Sequence, residues 1–358
     1  MSFDMGYTEP IGAYFSGRRT RLYSILGLSI ALVVVVLLAT SIGSVHIPFL
    51  TTFRILMAKL PFLDIAQTWQ STIGIIVLEI RLPRVILAGL VGAALATAGA
   101  TYQGLFRNPL ADPYLIGVAQ GASLGAVIGF LLPTTWHNLG FSLIPLLAFI
   151  GALVATTIVY GLARVGGTVP VTTLILAGVA LGALLGSIVS YLIISSGEKM
   201  HGIIFWLMGS FSLSQWSEIG IVLPYVAAGT AVIIIFARVL NVMQLDEEQA
   251  QQLGVNVERL KLILLAAATL ITAASVSFVG TIGFVGIITP HAVRLIWGAD
   301  HRFLLPLSVL TGAIFMILVD LVARTVLAPT EIPIGVITAI CGAPFFLYLL
   351  RRRKKAIF

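Results

Sequence analysis

Very few side chains in this sequence are placed to do chemistry. The five histidines, His46, His137, His201, His291 and His301, never fall at the spacing that lets two of them grip one metal ion, and no His-Glu-x-x-His occurs. A Gly-x-x-x-x-Gly-Lys-Ser/Thr run, whose backbone N–H groups would cradle a phosphate, is absent. So is the Gly-x-Ser-x-Gly elbow that presents a serine nucleophile. Cys341 is the single cysteine, which excludes an intrachain disulfide framework and any multi-cysteine metal site. These residues predict no catalytic group, no metal and no cofactor.

Charge carries the remaining signals. An ionisable side chain inside a membrane span is costly unless paired or wet, which makes it a pointer to function. Asp320 and Arg324 are the clear cases. Four apart, they share a helix face, as a self-neutralising structural pair or as part of a functional site. In Glu79-Ile-Arg81-Leu-Pro-Arg84, two arginines flank Pro83, a residue suited to a first helical turn. Lipid-headgroup anchoring and docking of an acidic partner both fit them. A third stretch, Leu245-Asp-Glu-Glu-Gln-Ala-Gln-Gln-Leu-Gly254, is acidic at its start and ends on a C-cap glycine. It reads as a lever for a soluble partner or as a solvated loop helix.

Composition decides which elements hold these residues. The chain is 59% hydrophobic and 10% charged over 358 residues, with a mean hydropathy of +1.07. Soluble domains carry roughly 25% charged residues, so soluble, disordered and nucleic-acid-binding classes are excluded. The fold class is an all-α membrane protein. A bilayer core takes about 20 apolar residues per helix. Breaks at charges, Gly/Pro clusters and polar runs leave ten spans: 22–41, 84–105, 114–132, 143–163, 171–195, 219–239, 260–280, 283–298, 304–327 and 334–350. Residues 42–83 mix Arg54, Lys59, Asp64, Gln67 and Gln70 with apolar side chains and read as interfacial helix and loop. Gly280, Gly283 and Gly286 could bend one element into the seventh and eighth spans.

With ten spans, both termini share a side. That side collects most of the 21 Lys and Arg residues, from Arg18, Arg19 and Arg21 to Arg351, Arg352, Arg353, Lys354 and Lys355. The positive-inside rule places it in the cytoplasm. Residues 1–21 then form a cytoplasmic tail and 351–358 a basic one. The first span, preceded by this polar tail and followed by no small-residue cleavage site, does not read as a signal peptide. Helices in lipid associate by close approach over small residues. Three such ridges occur: Gly117/Gly121/Gly125/Gly129, Gly178/Gly182/Gly186 and Gly92/Ala96/Ala100. Each fits tight packing, and one could line a pathway for a bulky solute.

The chain resembles the permease subunits of ATP-binding-cassette importers for iron–siderophores, haem and vitamin B12. The matching stretches are Arg81-Leu-Pro-Arg84, Phe106-Arg-Asn-Pro-Leu-Ala-Asp-Pro113, Leu176-Ala-Gly-Val-Ala-Leu181, Phe205-Trp-Leu-Met-Gly-Ser210, Gln252-Leu-Gly254, Gly283-Phe-Val-Gly-Ile-Ile-Thr-Pro-His291, Asp300-His-Arg302 and Glu331-Ile-Pro-Ile-Gly335. They run in family order over roughly residues 75–350. The resemblance implies ten helices per subunit in a bacterial or archaeal cytoplasmic membrane, and a homodimer with the pathway on its two-fold axis. It also implies two cytoplasmic ATP-binding subunits and a periplasmic or lipid-anchored binding protein that delivers the chelate.

Carried over residue by residue, Glu247, Ala250, Leu253 and Gly254, within a loop spanning 241–259, match the segment that contacts the ATPase. Arg81, Arg84 and Arg324 match arginines that receive acidic residues of the binding protein. Asp246 stands where some members carry glycine. For the pathway, the fifth span offers Thr173, Gly178, Gly182, Gly186, Ser187 and Ser190. The competing class, an ion-coupled secondary transporter of a small apolar solute, needs a coupling-ion site in this chain, and no proton relay is evident.

Overall fold

The structure, a computed structural model, describes residues 17–59, 66–133 and 143–354. Asp64, His137, Lys355 and most of the 1–21 tail lie outside the described residues. The named elements are all helical: α1 (Arg18–Ser41), α2 (Phe49–Met57), α3 (Ser71–Ile75), α4 (Leu82–Leu105), α5 (Val118–Leu131), α6 (Leu143–Ala163), α7 (Val171–Ile194), α8 (Met200–Leu207), α9 (Trp216–Ile235), α10 (Ala237–Val242), α11 (Glu247–Gln252), α12 (Val257–Val279), α13 (Val285–Trp297), α14 (His301–Thr325) and α15 (Ile334–Lys354). A π-helical turn (Ile76–Arg81) joins α3 to α4, and 3-10 turns cover Pro113–Ile116 and Gly197–Lys199. Among the described residues, α1, α6, α7, α9, α12 and α14 are long and apolar enough to cross a membrane, while α5, α13 and Ile334–Tyr348 are shorter apolar helices.

Small residues decide the centre. α4 is buried from Val91 through Leu105 without a break, because glycine and alanine let its neighbours come close on several sides. A Cβ on Gly92 would stand 2.2 Å from the Gly312 carbonyl oxygen of α14, and one on Gly99 would stand 1.8 Å from that of Gly286 in α13. The second ridge seats α5 on α6 in the same way, with Gly121 against Gly151 and Gly125 against Leu147. Around this core the outer helices are less covered. Only 6% of the apolar window of α1 is buried and 11% of that of α7, against 72% for α12.

Residues 42–83, read as interfacial helix and loop, hold α2 and a second helical run from Ser71 through the π turn into α4, where Val77 buries against Ile47 and Ile55. The π turn re-phases this lead-in relative to α4. The span expected at 219–239 stops at Ile235, where Phe236 leaves helical geometry and α10 begins. At the glycine-rich boundary the chain does divide. Gly280, at φ 78°, ends α12, and a Cβ there would stand 1.9 Å from the Trp206 carbonyl oxygen, so only glycine fits. The non-helical 280–284 segment is tied to its neighbours: Thr281 Oγ1 donates to the Leu207 carbonyl, and the Tyr114 hydroxyl donates to the Ile282 carbonyl and accepts from its N–H.

Candidate functional site

α4 and α14 run antiparallel in contact, so each end of the pair gathers residues distant in sequence. The two ends lie about 30 Å apart at 1.5 Å per residue. At one end, the start of α4 meets the end of α14. Arg84 grips Asp320 through Nε (2.9 and 3.2 Å) and Nη2 (2.8 Å), and Glu331 through Nη1 (2.6 Å) and Nη2 (3.0 Å). Arg324 Nε lies 3.4 Å from Asp320 and its Nη2 donates to the Ala39 carbonyl. Arg81 donates to the carbonyls of Thr40 and Ser41, the last residues of α1, and of Val45 just beyond it.

The three arginines expected to dock a partner therefore converge, but not as an exposed basic patch. Their exposures are 5% for Arg81, 8% for Arg84 and 8% for Arg324. Asp320, one turn from Arg324 on the same helix, is fully buried and has Arg84 as its closer partner. Glu331, 28% exposed at its side chain, is the more accessible carboxylate. Partial burial raises its pKa, but hydrogen bonds from Arg84 and the Ser212 hydroxyl more than reverse this and hold the carboxyl below its usual value. Sequence reasoning missed Glu331 as a partner. Its only signal was an acidic residue heading the Glu331-Ile-Pro-Ile-Gly335 stretch.

At the other end, the close of α4 meets the segment around α11. Asp246 precedes α11 and pairs with Arg107 at 2.7 Å. Gln244 Nε2 donates to the Gly104 carbonyl. Ala250 is buried, Leu253 is 66% exposed, and Gly254 takes φ 84° with open space where a Cβ would go. Glu247 meets Lys261 Nζ at 2.8 Å. The Arg107–Asp246 pair is exposed, and such pairs contribute about 0–1 kcal/mol. The buried Lys261 contact is the firmer anchor of α11. Nearby, Asn241 Nδ2 donates to Asp300, and its Oδ1 accepts from the His301 N–H, tying α10 to the start of α14. Arg302, hydrogen-bonded to Asp300, holds that carboxyl well below the usual range. Lys261 was also missed, although a lysine three residues after Glu258 at the head of an apolar stretch was a readable sign.

The expected pathway residues separate on α7. Gly178 is not part of a free face, since its Cβ would stand 1.9 Å from the Leu115 carbonyl oxygen of the neighbouring 3-10 turn. Gly182 faces Gln120, and Gly186 faces open space. Thr173 spends its hydroxyl on the Ala163 and Pro170 carbonyls, fixing the α6–α7 turn. Ser187 and Ser190 are exposed and donate back to Ala183 and Gly186 within the helix. The uncovered face of α7 is carried by Leu176, Val179, Leu184, Ser187, Ser190 and Tyr191. An apolar groove of about 220 Å³ runs between α5, α6 and α7, lined by Gly121, Leu124, Ile150, Val154 and Leu181 among others. Among the described residues no cluster of His, Cys, Asp and Glu could hold a metal ion.

Comparison with known proteins places this arrangement. The model of the FecCD transport family matches residues 31–352. The cobalamin import system permease protein BtuC of Halobacterium salinarum is 50% identical over 79% of this chain and 75% of its own. The hemin transport system permease protein HmuU of Yersinia pestis is 43% identical over 78% of this chain and 84% of its own. A solved structure described as an inward-facing metal-chelate type ABC transporter superposes with a TM-score of 0.78 at 32% identity, covering 92% of this chain and 98% of that one.

Proposed function

This chain belongs to the FecCD transport family, and we propose that it is the membrane permease of a binding-protein-dependent importer for a bulky metal chelate. The cargo class is an iron–siderophore, haem or a corrinoid. The observation that carries this is the family match across residues 31–352, with relatives that are permeases of cobalamin and hemin systems. The chain is a multi-pass membrane transport subunit and not an enzyme. Hydrolysis of ATP belongs to separate subunits.

Ten helices cross a bacterial or archaeal cytoplasmic membrane, with both termini in the cytoplasm. The positive-inside distribution of Lys and Arg supports that orientation. Residues 22–350 form the permease domain, between the 1–21 tail and the basic 351–358 tail. Two copies pair, with the exposed face of α7, including Ser187 and Ser190, towards the two-fold axis. Its low burial, 11% of its apolar window, leaves that face free to meet a second copy. Glu247, Ala250, Leu253 and Gly254 form the seat of the ATPase within 241–259. Arg81, Arg84 and Arg324 receive the substrate-binding protein. Because Arg84 is already held by Asp320 and Glu331, an incoming carboxylate reaches it by exchanging with Glu331, the accessible one of the two.

The function is tested in proteoliposomes holding the permease, its ATPase and its binding protein, offered radiolabelled cobalamin, haemin and ferric citrate in turn. One of these should accumulate only when ATP is supplied. Accumulation driven by an ion gradient without ATP would favour the secondary-transporter class instead. Gly254→Val gives a sharper result. A β-branched residue at φ 84° is strained by roughly 1–2 kcal/mol, yet nothing lies within 4 Å of the added Cβ. The variant should fold and retain little uptake, since only the exit of α11 is altered. Uptake at the wild-type level by assembled complex would remove Gly254 from the coupling seat.

A further inference from the structure

We propose that Lys261 and Glu258 are positioning residues that form a joint carrying movement of α11 to the start of α7. The proposal rests on the reading of α11 as the segment that meets the ATPase. Lys261 lies in the first turns of α12 and is 4% exposed. Its ammonium has three acceptors: Glu247 Oε2 at 2.8 Å, Glu258 Oε1 at 3.1 Å and the Val169 carbonyl at 3.2 Å. An ammonium has three N–H donors, so this set satisfies it in full. Glu258 Oε2 in turn accepts the Val169 N–H at 3.0 Å. Both backbone polar groups of Val169 are thus held by side chains of α12, and the lysine that holds one of them also holds α11.

The position of Val169 gives this clamp a mechanical consequence. It is followed by Pro170, whose ring fixes φ and which caps α7. Thr173 then bonds back to Pro170 and to Ala163, so the turn and the first turn of α7 form one stiff unit. Beyond it, α7 buries only Leu174, Gly178 and Val189. A helix gripped at its start, closely packed as far as Gly178 and loosely held beyond it is free to swing in its outer part. A displacement of Glu247 by the ATPase would be passed through Lys261 to Val169, and from there to α7. A methionine at 261 would fill the space but leave the partly exposed Glu247 and Glu258 without their shared cation; what it would lose is the link between three segments.

The test uses the permease assembled with its ATPase in liposomes, Cys341→Ser, with Ser190→Cys on α7 as a reporter for a maleimide probe. In the otherwise native complex, adding Mg-ATP should change the labelling rate roughly tenfold, within the range of 1–3 kcal/mol couplings. Lys261→Met should reduce this change to less than about twofold, and Lys261→Arg, which retains donors for the same acceptors, should largely restore it. A merely structural lysine would lower the amount of assembled complex while leaving the ATP-dependent change in what assembles, and that result overturns the joint. So does a reporter in the native complex that ATP does not affect. If Lys261→Met fails to assemble, Glu258→Gln is read by the same two outcomes. Separately, Leu253→Cys should cross-link to the ATPase. Absence of that cross-link sinks the reading of α11 itself, whereas a cross-link together with an undiminished response in Lys261→Met sinks only the joint.

Discussion

Replacing Arg84 with methionine is expected to destabilise the fold by about 3–5 kcal/mol, the cost of leaving one partner of a buried ion pair uncompensated. Asp320 is fully buried, and Arg84 supplies its three short hydrogen bonds. After the substitution Asp320 retains only Arg324, 3.4 Å away. Glu331→Gln should cost far less, about 1 kcal/mol, because the amide keeps hydrogen-bonding capacity on a partly exposed loop. The triple variant Arg84→Met/Asp320→Leu/Arg324→Met should recover most of the loss, since apolar residues of similar volume replace every buried member of the cluster and so avoid its desolvation cost. Thermal unfolding in detergent ranks the three. Equal destabilisation by Arg84→Met and Glu331→Gln would show that Asp320 does not depend on Arg84.

Gly99→Ala should be comparably severe, although it adds one methyl group. Its Cβ would fall 1.8 Å from the carbonyl oxygen of Gly286 and 2.5 Å from the carbonyl carbon, both backbone atoms that no rotamer change can move. α13 must then shift away from α4, exposing packed surface along the seam. Overpacking a dense core costs typically about 1–3 kcal/mol, and a backbone clash of this depth lies at or above the top of that range. Gly186→Ala is the matched control. Nothing lies within 4 Å of its added Cβ, and alanine is favoured over glycine in a helix by up to about 1 kcal/mol. The first variant should lower the unfolding temperature sharply and the second should not. Indistinguishable melting curves would falsify the α4–α13 packing.

Much of the architecture was legible because it is local. A run of apolar residues long enough for the bilayer core declares a helix whatever surrounds it, and helix covers most of each apolar stretch read from the sequence. Gly280, Gly283 and Gly286 together marked where one element could become two, and it is Gly280, at φ 78°, that ends α12. Where helix resumes within 42–83, at Ser71, was not readable from the polar Gln67 and Gln70, because that run is held by Val77 meeting Ile47 and Ile55.

Helical spacing shows which residues share a face, never which neighbour that face meets. The two glycine ridges on α4 and α5 and the one on α7 look alike in sequence, yet the first two seat helices along their length while the third passes from close contact at Gly178 to open space at Gly186. The arginines show the same division. Their type and spacing marked Arg81, Arg84 and Arg324 as unusual in their setting, and composition alone determined that the chain is a helical membrane protein. That Arg84 is shared between Asp320 and Glu331, and that Lys261 joins Glu247 to Val169, was decided only by tertiary structure. An ion pair needs its charges within a few ångströms, and residues 236 positions apart, like Arg84 and Asp320, reach that distance only when packing brings their helices together.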